Sequence, residues 1–140
     1  TKGTDSKEEW IELYNPTNSI VDISGYIITD NHGTWTVPNE TVMQAVSYLT
    51  IARNATGFYE LYGCSPDIDG LTLSLSNKKD MLSLKNSAGA ETDFVAWGSY
   101  TENWDISAKE DKTIKRKNPN QDTDSPDDWL SNQAPEPANC

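Results

Sequence analysis

An all-β fold of the sandwich or barrel type is what this sequence predicts, on three observations. Short segments alternate apolar and polar residues with a period of two. Polar turn clusters separate these segments. The length of 140 residues suits one domain with one core. Hydrophobic residues make up only 35% of the chain, so five Trp and six Tyr must carry much of the buried bulk. Such side chains bury large areas while keeping a polar tip for a hydrogen bond.

Trp10-Ile11-Glu12-Leu13-Tyr14 alternates and meets the turn pair Asn15-Pro16. Glu12, between Ile11 and Leu13, is expected to face away from the layer they fill. Ile20-Val21-Asp22-Ile23 is a short strand closed by Ser24-Gly25. Tyr26-Ile27-Ile28-Thr29 follows and ends in Asp30-Asn31-His32-Gly33, a turn-rich stretch. Thr34-Trp35-Thr36-Val37 stops at Pro38, and Tyr48-Leu49-Thr50-Ile51-Ala52 is the next strand. A helical turn near residues 54–63 is predicted by Phe58, Leu61 and Tyr62 at i, i+3 and i+4, with Gly63 as the terminating residue. It is expected to plug one end of the fold.

Leu71-Thr72-Leu73-Ser74-Leu75 alternates with its leucines on one face. Ser76-Asn77-Lys78-Lys79-Asp80 reads as a hairpin turn into Met81-Leu82-Ser83-Leu84, and Asn86-Ser87-Ala88-Gly89 turns again into Thr92-Asp93-Phe94-Val95-Ala96-Trp97, stopped by Gly98. Thr113-Ile114-Lys115-Arg116-Lys117 is a last strand with a basic face. From Asn118 onward there is no Lys or Arg, but Asp122, Asp124, Asp127, Asp128 and Glu136 occur among four prolines. The expected organisation is a body over 1–117 and an acidic C-terminal extension, 118–140, that packs on it through Trp129-Leu130.

The net charge of -11 repels DNA and anionic membranes and suits solubility in a wet or salty exterior. Nucleic acid is therefore not an expected partner, although Lys112, Lys115, Arg116 and Lys117 cluster locally. That patch is expected to be an exposed strand face or the partner of the acidic tail. No apolar run approaches the ~20 residues needed to cross a bilayer, so no membrane insertion is expected. No signal peptide is visible, and the abrupt opening Thr1-Lys2-Gly3-Thr4 reads as a piece excised from something longer.

Nucleophilic triads need a histidine as base, and the chain has one, His32, in a turn where a solvated role is expected. Two Cys and one His fall short of the four ligands of a structural zinc site. With 22 acidic residues, carboxylate pairs arise by chance, so no enzyme is expected. Calcium is the best chemical candidate: Asp122, Asp124, Asp127 and Asp128 could converge on one hard cation, and Asp67-Ile68-Asp69-Gly70 offers a second loop. No other cofactor is expected. Cys64 and Cys140 are candidates for a disulfide tying the tail to the body, which would suit an oxidising compartment; Cys140, the last residue, could equally stay free. Asn39-Glu40-Thr41 and Asn54-Ala55-Thr56 are glycan acceptor sequons.

Five segments in order resemble the lamin tail domain in its prokaryotic, extracellular form. They are Glu9-Trp10-Ile11-Glu12-Leu13-Tyr14-Asn15-Pro16, then Val21-Asp22-Ile23-Ser24-Gly25-Tyr26-Ile27-Ile28-Thr29-Asp30, then Tyr48-Leu49-Thr50-Ile51-Ala52-Arg53. Leu75-Ser76-Asn77-Lys78-Lys79-Asp80-Met81-Leu82-Ser83-Leu84 and Asp93-Phe94-Val95-Ala96-Trp97-Gly98 complete the set, with Asp122-Thr123-Asp124 and Asp128-Trp129 similar to a closing segment. The resemblance implies an immunoglobulin-like β-sandwich without catalytic machinery, carried on secreted or cell-surface proteins, sometimes beside nucleases or other hydrolases. The family usually opens with an apolar strand, whereas Thr1 to Lys7 is polar. That strand is expected to be cut off, leaving an exposed sheet edge. Gln44-Ala45-Val46-Ser47 stands where a Pro-Gly pair is usual, and Lys78-Lys79 where a glycine is common.

The expected function is a structural or interaction module that contacts a protein partner, or a second copy, through a sheet edge. The alternatives are a carbohydrate-binding module stacking sugars on Trp35, Trp104 and Trp129, and an accessory domain of a secreted hydrolase or nuclease.

Overall fold

Burial follows the alternation of the first strand: Ile11 is buried while its neighbours Trp10 and Glu12 are partly exposed. The computed structural model describes residues 8–101, 103–107, 109 and 111–140. The polar opening Thr1 to Lys7, where the missing strand is expected, lies outside the described residues. In chain order the strands are β1 (Trp10–Asn15), β2 (Val21–Asp22), β3 (Ile27–Thr29), β4 (Thr34–Thr36), β5 (Val42–Met43) and β6 (Ser47–Ala52). Helix α1 (Ala55–Tyr62) follows, then β7 (Ile68–Asp69), β8 (Asp80–Lys85), β9 (Glu91–Trp97) and β10 (Thr113–Arg116). A 3-10 turn (Pro126–Asp128) leads into β11 (Trp129–Gln133).

One sheet runs β1-β6-β7, with Ile11 opposite Ile51 and Leu13 opposite Leu49 in an antiparallel pair, and β7 parallel to β6. The other runs β4-β3-β8-β9, antiparallel throughout. The main core takes Ile11 from β1, Leu49 and Ile51 from β6 and Ile28 from β3, with Val37, Met43, Leu71 and Leu73. This is the immunoglobulin-like β-sandwich: two inward faces share one apolar layer. A second cluster of Val95, Trp97 and Ile106 holds Ile114 and Trp129 against β9, so the β10-β11 pair is anchored to the sandwich. Strand β11 belongs to the acidic stretch after residue 117 and pairs with β10, so the tail docks by adding a strand.

Leu71–Leu75 departs from expectation. Leu71 and Leu73 are buried, but the segment forms no strand. Scattered bonds take the place of a ladder: the Leu71 N–H donates to the Ala52 carbonyl at 3.1 Å, Glu9 accepts from the Leu75 N–H at 3.0 Å and Arg53 donates to the Leu73 carbonyl at 2.9 Å. Ser76–Asp80 therefore does not close a hairpin; Asp80 opens β8, which pairs with β3 and β9. Helix α1 is two turns long, capped by the Asn54 side chain on the Gly57 N–H and by left-handed Gly63. Its Phe58 and Tyr62 pack edge-on against Trp10, the first residue of β1, on the face of that strand opposite Ile11.

Candidate strand-binding groove

Strand β1 pairs only with β6, and β10 only with β11, among the described strands. Both line one groove of about 940 Å³ that opens onto the core. Its apolar walls include Ile11, Leu13, Leu84, Val95, Ile114 and Pro135. The Arg53 N–H donates to the Glu9 carbonyl at 2.9 Å, so the β1 residues that bond β6 are the odd-numbered ones. The main-chain donors and acceptors of Trp10, Glu12 and Tyr14 consequently point along the open edge. Peptide groups without a strand partner among the described residues, beside an apolar trough, are a template for an extended chain.

Charges of both signs line the groove. Glu12 stands on β1 and Lys115 on β10. Burial pushes the Glu12 carboxyl up from its ordinary value, against the opposing pull of the Ala138 N–H and of Lys115. The Ala138 N–H donates to Glu12 at 2.8 Å and the Asn139 side chain donates to the Tyr48 carbonyl at 3.1 Å. The last residues thus cross the outer face of β1 and β6, where a disulfide joins Cys140 to Cys64 just beyond α1.

The Lamin Tail Domain family model matches residues 1–99. The chain belongs to the lamin tail domain family. This is a family of non-catalytic immunoglobulin-like domains with structural and interaction roles. No curated protein matches the chain. Strands β10 and β11 of this lamin tail domain lie beyond the matched residues, so one wall of the groove comes from the chain's own C-terminal part.

The residues singled out in the sequence fall into separate places. Arg116 gathers Asp93 of β9 and two of the tail carboxylates: it donates to Asp93 at 2.6 Å, lies 3.6 Å from Asp122 and 3.9 Å from Asp128, and covers the Trp129 ring. Asp128 accepts the Thr123 N–H and hydroxyl, each at 2.7 Å, which hold its carboxyl below the ordinary value. Asp122 accepts the Asp124 N–H, and Asp124 and Asp127 are exposed. In the second loop, Asp67 accepts from Thr50 and Asp69 from Ala55 at the start of α1.

Trp35 packs on the main core and donates to the Gly70 carbonyl, whereas Trp104 and Trp129 pack on the Val95 cluster. The lamin tail domain thus places the three indoles on two different clusters, each half-buried. Asn39 is exposed in a turn and Asn54 caps α1. His32 is exposed, and its main-chain N–H donates to Asp30. Sequence reasoning missed Asp80: its carboxylate accepts the Asn31 N–H across 49 residues, a contact that no local spacing announces.

Proposed function

We propose that this domain is a non-catalytic interaction module of a secreted or cell-surface protein. Its groove takes up an extended apolar segment of a partner polypeptide as an added strand. The observation that carries this reading is that β1 and β10, each with one edge unpaired among the described strands, line one apolar trough. Main-chain bonds to the edge would supply affinity, and alternate side chains entering the trough would supply selectivity. The occupant is another polypeptide rather than a second copy, because each copy carries a charge of -11 and two copies repel. The same field opposes nucleic acid. The Cys64–Cys140 bridge supports an oxidising compartment. The packed state of the three indoles favours this reading over sugar stacking, and the closeness of Asp122 and Asp128 to Arg116 favours an ion-pair role for these two carboxylates over a calcium site.

Amide hydrogen exchange tests the reading. In the free monomer the Ile11 and Leu13 amides, bonded to β6, should exchange slowly and those of Glu12 and Tyr14 quickly. Adding peptides with alternating apolar residues should protect Glu12 and Tyr14 selectively. Slow exchange at Glu12 and Tyr14 in the free monomer would mean that the edge is already covered, and the reading would fall. Protection that appears only as light scattering reports dimers would replace it with self-association.

A further inference from the structure

We propose that Asp30, His32 and Asp80 form a binding site for a divalent transition-metal ion of the zinc class. One donor atom from each residue lies within 4.8 Å of the others. The three converge because β3 ends at the Asp30–Gly33 turn and Asp80 opens β8, which pairs directly with β3.

The state of Asp30 is the second observation. The residue is only 4% exposed. Oδ1 accepts the His32 and Gly33 N–H groups at 2.7 and 2.6 Å. Oδ2 is buried and has no hydrogen-bond partner. A buried carboxylate oxygen without a donor costs free energy unless something not yet counted meets it. Asp80, fully buried, directs Oδ1 to the Asn31 and Met81 N–H groups and Oδ2 to that of Ser76. Its Oδ2, with one N–H donor, still has a lone pair to offer.

Neither carboxylate takes part in an ion pair among the described residues. Two ionised carboxylates this close repel one another, and a cation between them offsets that repulsion. The main-chain N–H groups that grip both Asp side chains are the kind of outer shell that orients metal ligands.

The donor set selects the ion. Calcium takes six to eight oxygens, and an imidazole is a poor member of such a shell. Two carboxylates and one imidazole suit a borderline ion such as zinc, with solvent completing the tetrahedron. Tetrahedral zinc with bonds near 2.05 Å holds its donors about 3.4 Å apart, so the donors must draw together slightly. His32, exposed at a turn, is the ligand able to move. A bound ion would pin the β3–β4 turn to β8. None of the three residues lines the groove, so this site and the strand-binding reading stand or fall separately.

His32 is the chain's single histidine, so its imidazole signals in a heteronuclear NMR spectrum report on this site alone. Titrating the full chain with zinc should shift those signals with one-to-one stoichiometry and raise the melting temperature, while calcium at equal concentration should do neither. The variant His32→Ala should keep the metal-free melting temperature and bind zinc about tenfold or more weakly. Asp30→Asn should abolish binding. Imidazole signals that zinc leaves unmoved, or zinc affinity unchanged in His32→Ala, would overturn the site. So would a preference for calcium that survives Asp30→Asn.

Discussion

The Arg116 guanidinium lies over the indole of Trp129, its central carbon 4.5 Å from the ring centroid. The two residues face each other across the β10-β11 pair, in register as opposed residues. Arg116 also donates to Asp93 on β9 at 2.6 Å, so one side chain ties the tail strand to the four-stranded sheet. Cation–π contact and a partly exposed ion pair each contribute about 1 kcal/mol. Arg116→Ala should therefore lower unfolding stability by about 2 kcal/mol, read from urea denaturation. Arg116→Lys should recover less than half, because an ammonium lacks the planar fork that stacks and donates at once. A variant as stable as the parent would show that Ile114 and Trp129 hold the tail through packing alone.

Stability should fall on the acid side through Asp128. Its carboxyl is held low by the backbone and hydroxyl donors of Thr123, with Arg116 contributing. A carboxylate depressed in the folded state stabilises fully above its unfolded value of about 4, and the contribution fades as pH drops through the lower folded value. Asp128→Asn should remove that part of the acid limb and leave the slope above pH ~5 unchanged. Denaturation midpoints measured from pH 2 to pH 7 would show it, and identical acid limbs in both proteins would assign acid sensitivity elsewhere.

What was legible in the sequence was what repeats locally. The alternations in Trp10–Tyr14 and Met81–Leu84 and the apolar run Phe94–Trp97 became strands because each carries its signal within one stretch. Leu71–Leu75 shows the same period and does bury Leu71 and Leu73, but isolated bonds to the Ala52 carbonyl and to the side chains of Glu9 and Arg53, far away in sequence, stand in place of a ladder. Strands β5 and β7 have two residues each, too few to display any period. Strand β11 hides in Trp-Leu-Ser-Asn-Gln, whose pairing with β10 is fixed by tertiary contact with Val95 and Ile114. The groove is a relation between two edges, and the Asp30–Asp80 approach a relation across a sheet; neither has a local signature.

Gly98 follows buried Trp97, whose indole donates to the Ser76 carbonyl at 2.7 Å. Its φ of 67° lies in the left-handed region, and a Cβ there would overlap the Lys78 carbonyl. Gly98→Ala should cost more than about 3 kcal/mol, since the overlap is with backbone that cannot rotate away. Gly89 is the control: its φ of 87° is also left-handed, but nothing lies within 4 Å of an added Cβ. Gly89→Ala should cost only the conformational term, about 1–2 kcal/mol. Equal losses at the two positions would mean that the Ser76–Lys79 loop moves aside freely.

The Cys64–Cys140 bridge spans a sequence separation of 76 and so closes the whole second half of the chain into a loop. Constraining an unfolded chain by a loop of that length stabilises the native state by about 4 kcal/mol in the chain-entropy treatment. The native side adds little, because the Ala138 N–H to Glu12 and Asn139 to Tyr48 bonds already lay the tail over β1 and β6. Cys140→Ser, Cys64→Ser and the double variant should therefore lose the same amount, up to about 4 kcal/mol, and converge on the stability of the reduced parent. The loss should appear as a lower denaturation midpoint, accompanied by a larger m-value as the unfolded chain expands. If reduction left the midpoint unchanged, the tail's own hydrogen bonds and strand β11 would suffice to hold the C-terminus.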